Sequence, residues 1–266
     1  MALLDADGWL SELELVYMPL VVTANSLPEV DVLLVSGAVR TDEDRYLLRR
    51  AVRRAAQVIA VGTCAMSGGV MHLGDRDDVR QLFHDGPDRC HLPALLPKSH
   101  PVDSFVPVDR YLPGCPPTPE LFLTALGAGP PGERAATVCA ECGRDKRKDV
   151  RPTSLVRAPG GAIDPTLCLI NQGYLCLGTS TRGGCRALCT KPGQPCVGCR
   201  GPSNAFIEKD SQTWMHAIAR VLHAMTDVPE GEVQAALRSA SLSLFLFQFA
   251  DYDGRSRPSR PKGKVI

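Results

Sequence analysis

Two periodicities alternate along the first half of the chain. DVLLVSGAV (31–39) and QVIAVGTCA (57–65) are almost unbroken apolar runs of strand length, the mark of strands covered on both faces of a parallel sheet. Between them, TDEDRYLLRRAVRRAA (41–56) mixes apolar and charged positions in the manner of a surface helix. Thr41 stands where an N-cap belongs, acids fill the first turn and arginines follow, an order that matches the helix dipole. LELVYMPLVV (13–22) includes a further extended apolar run, and FVPVDRYLPGC (105–115) contains the next strand. PTPELFLTALG (117–127) reads as a helix with proline near its start. This alternation predicts an α/β fold, a doubly wound, flavodoxin-like parallel sheet, over residues 1–130.

The pattern changes after the turn-rich hinge GAGPPGE (127–133). Residues 131–266 predict a second, irregular domain that ends in helices and a basic tail. Its centre, CLINQGYLCLGTSTRGGCRALCTKPGQPCVGCRGP (168–202), offers few side chains for a hydrophobic core. Beyond it, 207–226 predicts a helix with Trp214, Ile218 and Leu222 on one face, and 233–239 a second. The tail GRSRPSRPKGKVI (254–266) has five basic residues and no acid. It reads as a solvated end, or more sharply as a docking segment for an acidic surface.

Composition narrows the class. The chain has 266 residues, a net charge of +1 and 44% hydrophobic residues, which suits a globular protein and gives no bulk signal for nucleic-acid binding. The greasiest stretch, SLSLFLFQFA (241–250), is too short to span a membrane. Eleven cysteines without a secretory signal at MALLDADGWL point to a reducing cytoplasm and to metal. Eight of them, Cys139, Cys142, Cys168, Cys176, Cys185, Cys189, Cys196 and Cys199, lie together in the second domain. Disulfides would need an oxidising compartment. Zinc suits the two Cys-x-x-Cys pairs, 139–142 and 196–199, but four more cysteines intervene. Two [4Fe–4S] clusters need eight thiolates, and the interleaved glycines would let backbone amides approach them; iron–sulfur is the best of the three.

Two further cysteines sit at predicted strand ends, Cys64 in GTCA and Cys115 in PGCPP. Ligands of doubly wound sheets bind at the carboxyl ends of the strands. An isolated cysteine is ordinarily a small buried hydrophobe, yet these two occupy equivalent positions beside glycine. Cys90 matches no motif and reads as a loop or core thiol. His72, His84, His91, His100, His216 and His223 are scattered without ligand spacing.

Q-G-Y-L-C-L-G, T-R-G-G-C and P-C-V-G-C-R-G-P resemble the C-terminal part of the small, electron-transferring subunit of [NiFe] hydrogenases, nearest its methyl-viologen-reducing and deazaflavin-reducing cytoplasmic branch. G-T-C-A with Gly68-Gly69, and P-G-C-P-P, are similar to the loops that hold the proximal cluster of that subunit. The resemblance implies a large partner subunit that holds nickel and iron and splits H2, a downstream electron-transfer subunit, and no catalytic side chain here. It also implies how the ligands divide, which spacing alone does not fix. Cys139, Cys142, Cys168 and Cys176 would hold an outer cluster, and Cys185, Cys189, Cys196 and Cys199 a medial one. Cys64 and Cys115 would supply half of a third, proximal [4Fe–4S]. In the family a Cys-x-x-Cys after the first strand supplies the other half, and the chain opens M-A-L-L-D-A-D-G-W-L, similar to the helix that follows that pair. We expect a misplaced or truncated start, residues 1–11 helical, Cys64 near Cys115, and a vacant slot in the sheet where its central first strand belongs. Two rival readings stand beside this: a quinone-oxidoreductase-like subunit without the proximal cluster, and a zinc-stabilised scaffold.

Overall fold

A computed structural model of the chain describes residues 13–18, 26–75, 81, 93–127, 136–157, 160–203, 214–240 and 264–265. It divides into two compact units. The first comprises 1–131 with 248–250 and 259–266, and the second 132–247 with 251–258.

The first unit runs β1 (Val30–Ser36), β2 (Val39–Thr41), α1 (Asp42–Val52), β3 (Ala55–Val61), α2 (Gly62–Ser67), β4 (Leu95–His100), β5 (Arg110–Leu112), α3 (Pro119–Leu126) and β6 (Lys264–Val265). β1, β3, β5 and β6 form one sheet in that order, and every pairing in it is parallel. Alternate residues of the central strands divide between two cores. Val58, Ala60 and Tyr111 pack with Leu48, Val102, Val106 and Val108; Ile59, Val61 and Leu112 pack with Phe122 and Ala125. Burial on both faces is why these strands are continuously apolar. The fully buried Tyr111 keeps its hydroxyl satisfied by donating to Asp103 at 2.8 Å.

Several elements differ from the sequence expectation. α1 stops at Val52 because the backbone of Ala55 is already paired with Val30 across the sheet. The 31–39 run is not one strand: Gly37, at φ +94, turns the chain into β2, which pairs antiparallel with the unforeseen β4. Residues 13–18 form no strand, and the expected slot for a missing central strand is not there: β1 pairs directly with β3 from Val30–Ala55 to Ser36–Val61, and β3 with β5, which leaves only the outer edge of β1 without a partner among the described residues. At the opposite edge, Lys264–Val265 of the basic tail pairs with Arg110–Tyr111 instead of remaining solvated. Cys90, residues 1–11 and 241–250 lie outside the described residues.

The second unit holds α4 (Val138–Cys142), α5 (Trp214–Met225) and α6 (Glu230–Ala240). Between α4 and α5 the described chain makes isolated bridges, Thr137 with Arg182, Asp145 with Leu167, Val156 with Tyr174 and Thr181 with Pro202. Leu169, Ile170, Leu175 and Leu177 are buried there, as are Ile218 and Leu222 of α5 and Val233 and Leu237 of α6. Arg151 caps α5: it donates to the carbonyls of Ala224 at 2.7 Å and Thr226 at 2.6 Å and pairs with Asp227 at 2.6 Å. A cation at the end of a helix suits its dipole. No described helix is long and apolar enough to cross a membrane.

Candidate metal centre

Ten cysteines are described, and all are free thiols. Eight of them lie in the second unit. Thr137 opens α4 as its N-cap and Gly143 closes it in the left-handed conformation, so Cys139 and Cys142 sit one turn apart on a short, capped helix. The N–H groups of Gln172, Gly173 and Tyr174 turn back onto the carbonyls of 168–170, and Cys168 N–H donates to Asp145 O at 2.8 Å. That last bond ties the third cysteine to the segment just after the first two.

The interior thiols are held by backbone. Cys196 N–H donates to Cys176 Sγ at 3.3 Å, and Gly178 N–H reaches the same sulfur. Ile170 and Asn171 N–H groups face Cys168, and Gly198 N–H faces Cys196. Burial nevertheless dominates: it pushes the Cys176 thiol up to about 12 and holds Cys196 well above, and Cys168 above, the ordinary thiol value. Thiolates there need a cationic centre to be stable. Electrostatic neighbours run through both sets of cysteines. Cys168 and Cys139 act on Cys176, and Cys185 on Cys189, while Cys196 feels Cys176 ahead of Cys199. The contact between Cys176 and Cys196 links the two sets. Among the described residues, no three His, Cys, Asp or Glu side chains form a single-ion site.

Three side chains that the sequence reading did not single out organise this region. Glu141, between the first two cysteines, accepts from Gly184 N–H and, at 3.1 Å, from Ala187 N–H, and lies 3.9 Å from Cys185 Sγ. Arg144 donates to Thr190 O at 2.8 Å and Leu167 O at 3.0 Å, and also to Asp164 O and Lys191 O. It thereby joins the loops around Cys142, Cys168 and Cys189. The Cys139 sulfur holds the Lys146 ammonium above the ordinary lysine value. A carboxylate inside a Cys-x-x-Cys and a basic run directly after it were the signals available.

In the first unit the structure brings the other two cysteine loops together. Thr63 N–H donates to Gly114 O at 2.9 Å, across the carboxyl ends of β3 and β5. Burial raises the Cys115 thiol, and neighbouring Cys64 raises it further. Cys64 lies on α2 rather than in a turn. Gly69, at φ +56, passes so close that a Cβ there would come within 2.5 Å of Cys64 Sγ. His72, which bonds Ser67 O at 3.0 Å and Asp75 at 2.9 Å, braces that turn, and Arg40 holds Asp75 at 2.6 Å.

These residues fit an iron–sulfur centre. The donors are soft thiolates, amides point at three of the sulfurs, and glycine leaves room beside a fourth.

Comparison with known proteins identifies the family. Residues 1–128 match the family described as NADH ubiquinone oxidoreductase, 20 Kd subunit. That match ends before Cys139, and other relatives reach further. A subunit of the F420-non-reducing hydrogenase vhu of Methanococcus voltae is 36% identical over 218 residues, covering 76% of this chain and 76% of its own. Its counterpart from Methanocaldococcus jannaschii is 34% identical over 237 residues, covering 83% and 82%. The iron-sulfur subunit of the F420-non-reducing hydrogenase of Archaeoglobus profundus is 30% identical over 208 residues, covering 65% of each. The chain belongs to the family of these F420-non-reducing hydrogenase subunits, the [NiFe] hydrogenase small subunits that its cysteine motifs resemble.

Proposed function

We propose that this chain is the electron-transfer subunit of a cytoplasmic [NiFe] hydrogenase, set between an H2-splitting large subunit and a downstream redox partner. The observation that carries the reading is the set of backbone N–H donors aimed at the buried sulfurs of Cys168, Cys176 and Cys196. Eight thiols so arranged suit two [4Fe–4S] clusters, an outer one on Cys139, Cys142, Cys168 and Cys176 and a medial one on Cys185, Cys189, Cys196 and Cys199. Bound there, such clusters supply one-electron transfer.

The chain's own residues do the rest. The cysteines fix where the centres lie. Leu169, Leu175 and Leu177 exclude water from between the loops, and Cys196 N–H joins the two groups through Cys176 Sγ. Cys64 and Cys115 offer two thiolates at the sheet edge to a third, proximal [4Fe–4S]. The name of the Archaeoglobus profundus relative, an iron-sulfur subunit, supports this reading.

The test is anaerobic affinity purification of the tagged chain from its native cells. A nickel-containing large subunit should come with it in equal amount, and the complex should reduce viologen with H2 while the isolated chain does not. Purification without a nickel-containing partner, or activity from the chain alone, would contradict the proposal.

A further inference from the structure

The two cysteine groups differ in what faces their sulfurs. In the first, Cys176 Sγ accepts from Cys196 N–H at 3.3 Å. In the second, Cys185 Sγ faces an anion: Glu141 Oε2 lies 3.9 Å away. Glu141 comes from outside that loop, from α4 between Cys139 and Cys142. α4 is anchored by its own bonds. Val138 N–H donates to Thr181 O at 3.0 Å and Cys139 N–H to Gly178 O at 3.0 Å. The carboxylate is anchored as well, with Oε1 accepting from Gly184 N–H and Oε2 from Ala187 N–H at 3.1 Å. Neither bond involves the Cys185 thiol, so the carboxylate keeps its place when that thiol gives up its proton to a metal.

The same bonds engage two donors. The amide just before Cys185 and the one two residues after it both point at Glu141, not at a ligand sulfur. Glu141 therefore places a negative charge beside Cys185 and draws off two N–H groups that flank it. A cation shares the loop: Arg200 is buried, and its Nε donates to Gly183 O at 2.9 Å. Its guanidinium lies beside Gly184, where an added Cβ would meet Nη2 at 3.0 Å. Arg200 offsets part of the carboxylate's field. Removing the carboxylate alone leaves the cation in place, so the sign of the change at Cys185 does not depend on it.

We propose that Glu141 is a positioning residue that, acting through Cys185, lowers the reduction potential of the iron–sulfur centre held by Cys185, Cys189, Cys196 and Cys199. This rests on the reading of the two cysteine groups given above. When that centre passes one electron to its neighbour, its own charge becomes less negative by one and the neighbour's more negative by one. An anion 3.9 Å from a ligand sulfur disfavours the reduced, more negative state over the oxidised one. At the neighbour, the Cys196 N–H on Cys176 Sγ acts the other way, because hydrogen bonds to cluster sulfurs favour the reduced state. A carboxylate carried by the helix of the first group thus makes the second the better electron donor, and transfer from the Cys185–Cys199 group to its neighbour runs further downhill.

The experiment is a potentiometric EPR titration of the full chain in its anaerobically purified complex, comparing wild type with E141Q and E141D. In E141Q one iron–sulfur signal should shift to a higher midpoint potential, with the other midpoints and the iron and sulfide content unchanged. E141D keeps the charge and should keep that midpoint nearer the wild-type value than E141Q does. Unchanged midpoints in E141Q, or a shift to lower potential, overturn the inference. An equal shift in E141D overturns it too, because loop geometry and not charge would then set the potential. So does loss of iron from E141Q, which would leave Glu141 as a support for the ligand loop. A wild-type complex without four-iron signals would instead bring down the underlying reading, and this inference with it.

Discussion

Glu141 shows how much one side chain contributes to the candidate centre. Between Cys185 and Cys189 the backbone passes through two left-handed residues that are not glycine, Arg186 at φ 55 and Ala187 at φ 56. Such conformations cost on the order of 1–3 kcal/mol each. The turn persists because it aims the amides of Gly184 and Ala187 at one carboxylate, that of Glu141, in the manner of an anion-binding nest. Hydrogen bonds to a charged group contribute about 1.5–3 kcal/mol. Glu141→Ala should therefore destabilise the second unit by about 2–4 kcal/mol and release iron from the Cys185–Cys199 group. Glu141→Gln keeps an acceptor and should be milder. Thermal melting and iron analysis of the anaerobic protein would decide; wild-type stability in Glu141→Ala would remove the nest from the account. None of this was legible in the sequence. An acid between two cysteines reads as a solvated charge until the partner loop, more than forty residues on, is seen to face it.

At the scale of elements, the first unit was the more legible of the two. Strands buried on both faces announce themselves as apolar runs, and α1 announces itself by its cap. Thr41 Oγ1 accepts from Asp44 N–H at 3.0 Å, and the Asp44 carboxylate returns the bond to Thr41 N–H at 2.9 Å. Replacing an N-cap by alanine costs about 1 kcal/mol. Thr41→Ala should thus lower the melting temperature by roughly 2–4 °C without changing iron content; no change would mean that tertiary packing alone holds α1. β4 and β6 escaped the reading for a physical reason. β4 (LLPKSH) carries Pro97 and Lys98 exposed in its middle and shows no strand alternation, and β6 is two residues long at the end of a basic tail. Each is a strand only because a neighbour supplies its pairing. The run at 13–18 is the converse case, apolar but irregular.

Taken whole, the molecule has one unit built on a sheet and another built on loops. In the second, the cysteine count and the glycine pattern pointed to the chemistry, whereas the expectation of few core side chains was wrong: Leu169, Ile170, Leu175 and Leu177 are buried among the loops. The division of the eight thiols came from resemblance, and the residues that support them are set by long-range contacts no spacing encodes. Burial that pushes Cys176 up to about 12 and Cys196 well above the ordinary thiol value means that both would be protonated near neutral pH without a metal. Loading the centre must displace those protons, so metal binding and the folding of these loops are coupled.

The most direct measurement is iron, acid-labile sulfide and zinc per chain in an anaerobically purified Cys64→Ser/Cys115→Ser variant, which removes any contribution from the sheet-edge pair. The account predicts about eight iron atoms and about eight sulfides, with four-iron EPR signals on reduction. Zinc in place of iron, disulfides among the eight cysteines, or only about four irons would contradict it.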